Sequence, residues 1–164
     1  MALRSAQYRT AFARMAGERL LDPRLIEAVV MTESSGRTDA IREEPQIGDR
    51  SRGLMQVLER TAKALGFPAH ESFDRLFDPD VGILYGVKVL TQNLDSANKG
   101  TKARTDGTYA ILTTPFPREV RIALARYNGG WRGNPRLDGT LRNESYVTKV
   151  EGWFRKVQVD LEGP

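Results

Sequence analysis

The apolar positions along this chain recur every three or four residues, which is the spacing of residues on the buried side of a helix. Two aspartate–proline pairs, Asp22-Pro23 and Asp78-Pro79, combine a capping side chain with a first-turn proline and therefore mark helix starts. Alternation of apolar and polar residues, which is typical of strands, never persists for more than a few positions. The pattern therefore predicts a mainly α domain. The predicted helices cover residues 2–17, 23–33, 59–65, 79–93, 117–127 and the end of the chain after Asn143.

Polar segments separate the predicted helices. Residues 36–52 and 95–116 are predicted to be long loops, and residues 131–143 a shorter one. Loops longer than about 15 residues are unusual in a compact domain and often carry function. We expect a solvated loop over 95–116, with basic side chains that would meet an acidic ligand if the loop lay beside a cleft. The basic residues near its tip are Lys99, Lys102 and Arg104.

Length and composition fit a single globular domain over residues 1–164. Hydrophobic residues make up 40% of the chain and charged residues 28%, which are ordinary values for such a domain. No apolar run approaches the roughly 20 residues that cross a bilayer, and residues 1–15 lack the apolar stretch of a secretory signal. We therefore expect no membrane insertion. The chain would stay in a cytoplasm, leave it by another route, or form part of a larger protein.

Scarce residue types exclude several kinds of site. Cysteine is absent, which excludes disulfides and thiolate chemistry, and the single histidine, His70, lies in a predicted loop without a nucleophile motif. We therefore predict no cofactor and no metal site. The net charge of +4 favours a polyanionic partner, either nucleic acid, an anionic membrane or an acidic wall polymer. The basic residues are scattered without interleaved aromatics, which disfavours nucleic acid.

Glu33 is the strongest candidate for chemistry. It ends the second predicted helix and shares a face with Leu25 and Val29, so its carboxyl group lies on an apolar stripe. Burial disfavours the ionised form of a carboxyl group, and so does the negative end of the helix dipole. Both effects raise the pKa of Glu33 and keep its proton in place. The sequence therefore predicts a general acid and an acid-catalysed cleavage.

Three short segments, residues 33–36, 51–57 and 125–130, resemble in order and residue type the motifs of the soluble lytic transglycosylase and goose-type lysozyme family. These motifs are a glutamate followed by serine, a Gly-Leu-Met-Gln segment and an Ala-x-Tyr-Asn-x-Gly segment. With weaker matches elsewhere, the resemblance covers about residues 22–150. Members of this family cleave peptidoglycan, so the resemblance implies a lysozyme-like helical domain with a substrate cleft. The expected partner is a peptidoglycan glycan strand.

The resemblance also implies roles for individual residues. Glu33 corresponds to the family's catalytic acid and base, and we expect the hydroxyl of Tyr127 to hold its carboxyl group. We expect Gly53 to let the backbone approach a sugar chain, with Leu54 or Met55 packed beneath it, and Gln56 to bind an N-acetyl group or a hydroxyl. The full set of expected substrate-binding residues is Ser51, Gly53, Leu54, Met55, Gln56, Tyr127, Asn128 and Tyr146. For Asn128, a role in ending the helix is an equal alternative.

Two reactions remain open at this point. A lytic transglycosylase needs only Glu33 and leaves 1,6-anhydro-muramyl ends, whereas a goose-type muramidase would use a second carboxylate, here Asp49, to position water. Glu144 lies near the place of another family glutamate, but not at the matching spacing. We favour the transglycosylase, because one acid alone matches securely. A wall-binding or virion module without turnover is a further alternative.

Because the expected substrate is peptidoglycan, we expect the protein to act on the bacterial cell wall, in the periplasm or outside the cell. Without a signal sequence, a phage-encoded enzyme or a domain of a virion protein is expected, as a monomer or as part of a larger protein.

Overall fold

The computed structural model describes residues 2–98 and 109–163, which are mainly helical and carry one small sheet. Short 3-10 helices cover Arg4–Tyr8, Phe73–Phe77 and Gly130–Gly133. The α-helices are α1 Arg9–Arg19, α2 Pro23–Glu33, α3 Glu59–Ala64, α4 Pro79–Ala97, α5 Arg118–Gly129 and α6 Glu144–Glu162. The strands are β1 Ile41–Glu44, β2 Asp49–Arg52 and β3 Val57–Leu58.

Helix α2 is the central helix of the domain. Asp22 caps it by accepting a hydrogen bond from the backbone N–H of Arg24, and Pro23 occupies the first turn, as predicted. The helix ends at Glu33, and Ser35 and Gly36 follow with positive φ angles of 54° and 75°. Every residue from 25 to 31 is buried, because α2 packs against both α1 and α6. The last residue of α2 is thereby fixed at the edge of the core.

The hydrophobic core contains side chains from the helices together with Leu54 and Met55 of the Gly-Leu-Met-Gln segment. Helix α4 packs against α5, and side chains from both helices meet those of α2 in one apolar cluster. The largest fully buried side chains are Tyr109, Phe12, Phe154, Leu25, Ile26, Leu54, Met55, Leu76, Ile83, Leu90, Leu94 and Leu124. Among the described residues, no helix is both long and apolar enough to span a bilayer.

The prediction of a loop over residues 36–52 is wrong, because this segment forms most of a three-stranded antiparallel sheet. Strand β1 pairs with β2, with Ile41 opposite Arg52, and β2 pairs with β3. All of β1 except Glu44 is exposed, so the strand has no apolar face that alternation could reveal. The remaining signal is the turn from Pro45 to Gly48, whose residue types favour a hairpin.

Several helix limits also differ from the prediction. Helix α1 begins at Arg9 after a 3-10 turn, α4 continues to Ala97, and α5 continues to Gly129. Asn143 precedes α6 but does not cap it with its side chain, which donates instead to the carbonyl of Ala125. Part of the predicted loop over 95–116, with its three basic residues, lies outside the described residues. Of the part that is described, Tyr109, Leu112 and Phe116 are buried.

Candidate active site

Glu33 meets Tyr146 where α2 packs against α6. The hydroxyl of Tyr146 donates a hydrogen bond to Glu33 Oε1 at 2.6 Å, across 113 positions of sequence. Tyr146 lies in the first turn of α6, and both side chains are partly buried. Burial, followed by the negative charge of Glu33, raises the pKa of Tyr146 well above its usual value. The tyrosine therefore stays a neutral donor that orients the carboxyl group.

The pKa of Glu33 is raised above the usual 4.5, and loss of water around the carboxyl group is the largest cause. The hydrogen bond from Tyr146 and the positive charges of Arg42 and Lys149 oppose this shift, while the charge of Glu44 adds to it. The direction agrees with the expectation from the apolar stripe. Glu33 therefore keeps its proton to a higher pH than an exposed glutamate.

Glu33 faces a cavity of about 130 Å³, which we call the Glu33 cavity. The sheet supplies part of its lining, and the end of α5 supplies another part. The other lining residues are Arg42, Glu44, Ile47, Ser51, Gln56, Leu58, Tyr127 and Asn128. A ligand pocket usually measures about 300–1,000 Å³, so an oligosaccharide would reach well beyond this cavity.

The structure does not bring Gly53, Leu54 and Met55 to the Glu33 cavity. Leu54 and Met55 are fully buried, so the prediction that they pack beneath a sugar is wrong. A Cβ on Gly53 would lie 2.1 Å from the carbonyl oxygen of Leu76, and its φ is 74°. Gly53 is therefore required by close backbone contact inside the protein rather than by a sugar chain. Met55 fills space over Gly86 of α4, where a Cβ would lie 2.4 Å from the Met55 sulfur.

Gln56 and Ser51 line the cavity, but their polar atoms are bonded within the protein. The amide group of Gln56 donates to the carbonyls of Ala40 and Gly53, both at 3.0 Å. Ser51 donates to Gln56 Oε1, also at 3.0 Å. The backbone of Gln56 is left-handed, with φ 48°, which is unfavourable for a residue with a side chain. Gln56 therefore braces the segment beneath the cavity, and its predicted binding of an N-acetyl group or a hydroxyl stays a prediction.

The predicted role of Tyr127 belongs to Tyr146. The hydroxyl of Tyr127 donates to the carbonyl of Met55 at 2.8 Å, so it does not hold Glu33. Burial raises the pKa of Tyr127 well above its usual value. Tyr127 still lines the cavity, beside the exposed Asn128. Which of the two positions holds Glu33 depends on helix packing that the sequence motifs do not encode.

Asp49 lies on a different cavity from Glu33. It lines a hollow of about 290 Å³ together with Glu43, Arg50 and Glu59, among others. Its side chain is 6% exposed, lies 3.3 Å from the guanidinium of Arg60, and accepts a hydrogen bond from the backbone of Arg50. The expectation that Asp49 helps Glu33 through a water molecule is therefore not supported by its position.

Sequence reasoning missed the acidic residue that does line the Glu33 cavity. Glu44 ends strand β1, and its Oε1 accepts a hydrogen bond from Arg42 Nε at 2.6 Å. Arg42, Ile47 and Leu58, which line the same cavity, were also missed. Arg42, Glu44 and Ile47 lie on the hairpin of β1 and β2, and Leu58 lies on the neighbouring strand β3. The residue types of the turn that begins at Pro45 are the signal that could have found the hairpin.

Other parts of the described chain offer weaker candidates. A larger cavity of about 750 Å³ lies between the starts of α5 and α6 and is lined by Arg118, Arg121, Arg136 and Glu144, among others. Arg121 is paired there with Glu144 and Glu151, and Glu33 does not reach this cavity. Within residues 2–98 and 109–163, no cluster of potential metal ligands is present.

Comparison with known proteins identifies a family that this chain matches. The family described as the transglycosylase SLT domain matches residues 10–140. A transglycosylase of Enterobacteria phage PRD1 is 41% identical over 130 residues, which are 79% of this chain and 36% of the phage protein. The chain thus spans only about a third of that relative.

The fold of this chain is similar to that of a solved lytic transglycosylase structure. The X-ray structure of the lytic transglycosylase Slt from Pseudomonas aeruginosa, in an inactive glutamate-to-glutamine mutant, matches with a TM-score of 0.61 and 25% identity. The match covers 96% of this chain and 25% of that chain. The mainly α, lysozyme-like fold expected from the sequence motifs is therefore confirmed. Since the family match covers most of the chain, the protein belongs to the transglycosylase SLT domain family.

Proposed function

We propose that this domain is a lytic transglycosylase that cleaves the β-1,4 bond between N-acetylmuramic acid and N-acetylglucosamine in peptidoglycan. The observation that carries the proposal is Glu33, a carboxyl group with a raised pKa that faces a cavity and is oriented by a tyrosine hydroxyl. A raised pKa keeps the proton on a carboxyl group to higher pH, and such a proton is what protonation of a leaving oxygen requires. Membership of the transglycosylase family supports the substrate class.

The reaction needs one carboxyl group in two roles. Glu33 gives its proton to the glycosidic oxygen, the bond to the muramyl C1 breaks, and positive charge develops on the sugar ring. The Glu33 carboxylate then takes the proton of the muramyl 6-hydroxyl, whose oxygen bonds to C1. This step closes the 1,6-anhydro ring and returns Glu33 to its protonated form. Because the attacking hydroxyl belongs to the same sugar, no second carboxylate has to activate water.

The relatives support the role of a glutamate. The Pseudomonas enzyme is inactive when one of its glutamates is replaced by glutamine. In this chain, Glu33 is the glutamate that both faces the cavity and receives the Tyr146 hydroxyl. The relative from a phage supports a viral origin. Membership of the transglycosylase family supports action on the bacterial wall, which we place in the periplasm or outside the cell.

Hydrolysis through Asp49 is the weaker reading, because Asp49 lines another cavity and faces Arg60. The two reactions differ by one water molecule in the product. The test is digestion of purified peptidoglycan followed by mass spectrometry of the released fragments. We expect 1,6-anhydro-muramyl ends from the unchanged protein and from Asp49→Asn alike.

Other results would contradict the proposal in distinct ways. Reducing muramyl ends, together with a large loss of activity in Asp49→Asn, would establish a muramidase. Binding to the wall without any fall in turbidity would establish a module without turnover. Tight, salt-sensitive binding to DNA without affinity for the wall would place the function elsewhere.

A further inference from the structure

An ion pair lies in the Glu33 cavity beside the proposed acid. Arg42 and Glu44 are two positions apart on strand β1, so their side chains leave the same face of the strand. Both line the Glu33 cavity, and Arg42 Nε lies 2.6 Å from Glu44 Oε1. The charge of each acts on Glu33. The reaction proposed above uses neither of them.

The two partners differ in exposure. The side chain of Glu44 is 15% exposed, whereas that of Arg42 is 60% exposed. Glu44 therefore acts as the fixed member of the pair, and it fixes the Nε side of the guanidinium. Among the described residues, the two terminal amino groups of Arg42 donate to no protein acceptor. An oriented guanidinium with its outer edge open to a cavity matches the planar geometry of a carboxylate.

We propose that Arg42, held in place by Glu44, binds a carboxylate of the substrate strand next to the bond that Glu33 cleaves. This inference rests on the proposed function, since it names a feature of the same substrate. N-acetylglucosamine carries no carboxylate, whereas N-acetylmuramic acid carries one on its lactyl group. When a stem peptide is attached, the lactyl carboxylate becomes an amide and the peptide supplies carboxylates of its own. Arg42 would thus distinguish wall strands from chitin-like oligomers.

Arg42 has a second effect that has to be separated from binding. Its positive charge lowers the pKa of Glu33, and the charge of Lys149 on α6 does the same. Lys149 is exposed and does not line the Glu33 cavity. Lys149→Gln therefore removes a comparable charge without removing the proposed contact, and it serves as the matched control.

The test measures binding in a Glu33→Gln background, so that no ligand is consumed. Calorimetry compares three tetrasaccharides: an N-acetylglucosamine oligomer, a peptide-free muramyl oligomer and a peptide-bearing muramyl oligomer. We expect a muramyl oligomer to bind about tenfold more tightly than the N-acetylglucosamine oligomer. Arg42→Gln should abolish this preference, Arg42→Lys should retain part of it, and Lys149→Gln should retain all of it. Tighter binding of the peptide-free form identifies the lactyl carboxylate, and tighter binding of the peptide-bearing form identifies the stem peptide.

The role of Glu44 has its own readout. Glu44→Gln keeps an acceptor for Arg42 but removes the charge, so we expect it to reduce the preference without abolishing it. Equal affinity of the Glu33→Gln protein, with Arg42 intact, for all three oligomers would overturn the proposal. So would an undiminished preference in Arg42→Gln, or an equal loss in Lys149→Gln. Absence of cleavage by the protein with Glu33 intact would instead refute the proposed function, while a preference that depends on Arg42 would still stand.

Discussion

Two glutamates on helix α2, Glu27 and Glu33, lie six positions apart and have opposite surroundings. Glu27 is 2% exposed and receives three hydrogen bonds, two from the guanidinium of Arg9 and one from Ser5. Glu33 receives one from a neutral hydroxyl, that of Tyr146, and faces a cavity. The first carboxylate is paired with the guanidinium of Arg9, while burial favours the protonated form of the second.

The comparison shows that two carboxyl groups on one helix differ in their partners, since a cation contacts Glu27 and a neutral hydroxyl contacts Glu33. A buried charge with a cation and further donors can remain ionised and stabilise the fold. A buried carboxyl group without a contacting cation stays protonated to higher pH and is available as an acid. The same helix therefore carries an anchor near its middle and the proposed acid at its end.

The largest effect is expected for Glu33→Gln. This change removes the transferable proton while an amide oxygen can still accept the Tyr146 hydroxyl. General acid–base catalysis typically contributes about 10²–10⁴-fold, and here one group serves both proton transfers, so we expect a loss of about 10³-fold or more. The fall in turbidity of a purified peptidoglycan suspension measures this activity. Near-full activity in this variant would remove Glu33 from the mechanism.

Glu27→Gln should have the converse effect. It leaves the guanidinium of Arg9 with a weaker partner, although Asp160 still contacts it at 2.7 Å. We expect the free energy of unfolding to fall by about 2 kcal/mol, with activity per folded molecule within about twofold of the original. Urea unfolding measures the first quantity and turbidity the second. Unchanged stability, or activity as low as that of Glu33→Gln, would erase the distinction between the two glutamates.

Tyr146→Phe should have a smaller effect on activity and a diagnostic effect on pH dependence. Loss of one hydrogen bond to the carboxyl group is worth about 1.5 kcal/mol, which corresponds to about tenfold in rate. The hydroxyl lowers the pKa of Glu33, so its removal should raise that pKa and move the basic limb of the pH–activity profile to higher pH. Tyr127→Phe is the control, because its hydroxyl contacts Met55 instead. A shifted limb in Tyr127→Phe but not in Tyr146→Phe would reverse the assignment.

The smallest effect concerns stability and pH. The pKa of Glu33 is raised in the folded protein. Below pH 4.5, Glu33 is protonated in both the folded and the unfolded chain, so its burial costs no stability through ionisation. As pH rises through the folded pKa, the unfolded chain releases its proton more readily, and the original protein loses stability. Glu33→Gln should therefore gain melting temperature relative to the original as pH rises from 4 to 8. A difference that stays constant or shrinks would contradict the raised pKa.

Local signals predicted the parts of the fold whose causes are local. Helix α2 was predicted with both limits correct, because Asp22 and Pro23 start it and the residues after Glu33 end it. The hairpin was missed because β1 buries almost nothing. Met55 was assigned to the cleft, whereas it is buried over Gly86, a contact that depends on how α4 packs.

Part of the lining of the Glu33 cavity was predicted from the sequence, while the role of Glu33 as the acid stays a prediction. Glu33, Ser51, Gln56, Tyr127 and Asn128 line one cavity, as motif order suggested. The exchange of roles between Tyr127 and Tyr146 follows from the packing of α2 on α6, which no short motif records. Glu44 was missed for the same reason as the hairpin that carries it.

Titration of the Glu33 carboxyl group by carbon-13 NMR tests the central claim most directly, with the signal assigned by its loss in Glu33→Gln. We expect the pKa of Glu33 to lie above the usual 4.5 and to match the basic limb of the pH–activity profile. A pKa at or below that value, in a protein that still forms 1,6-anhydro ends at neutral pH, would contradict the account.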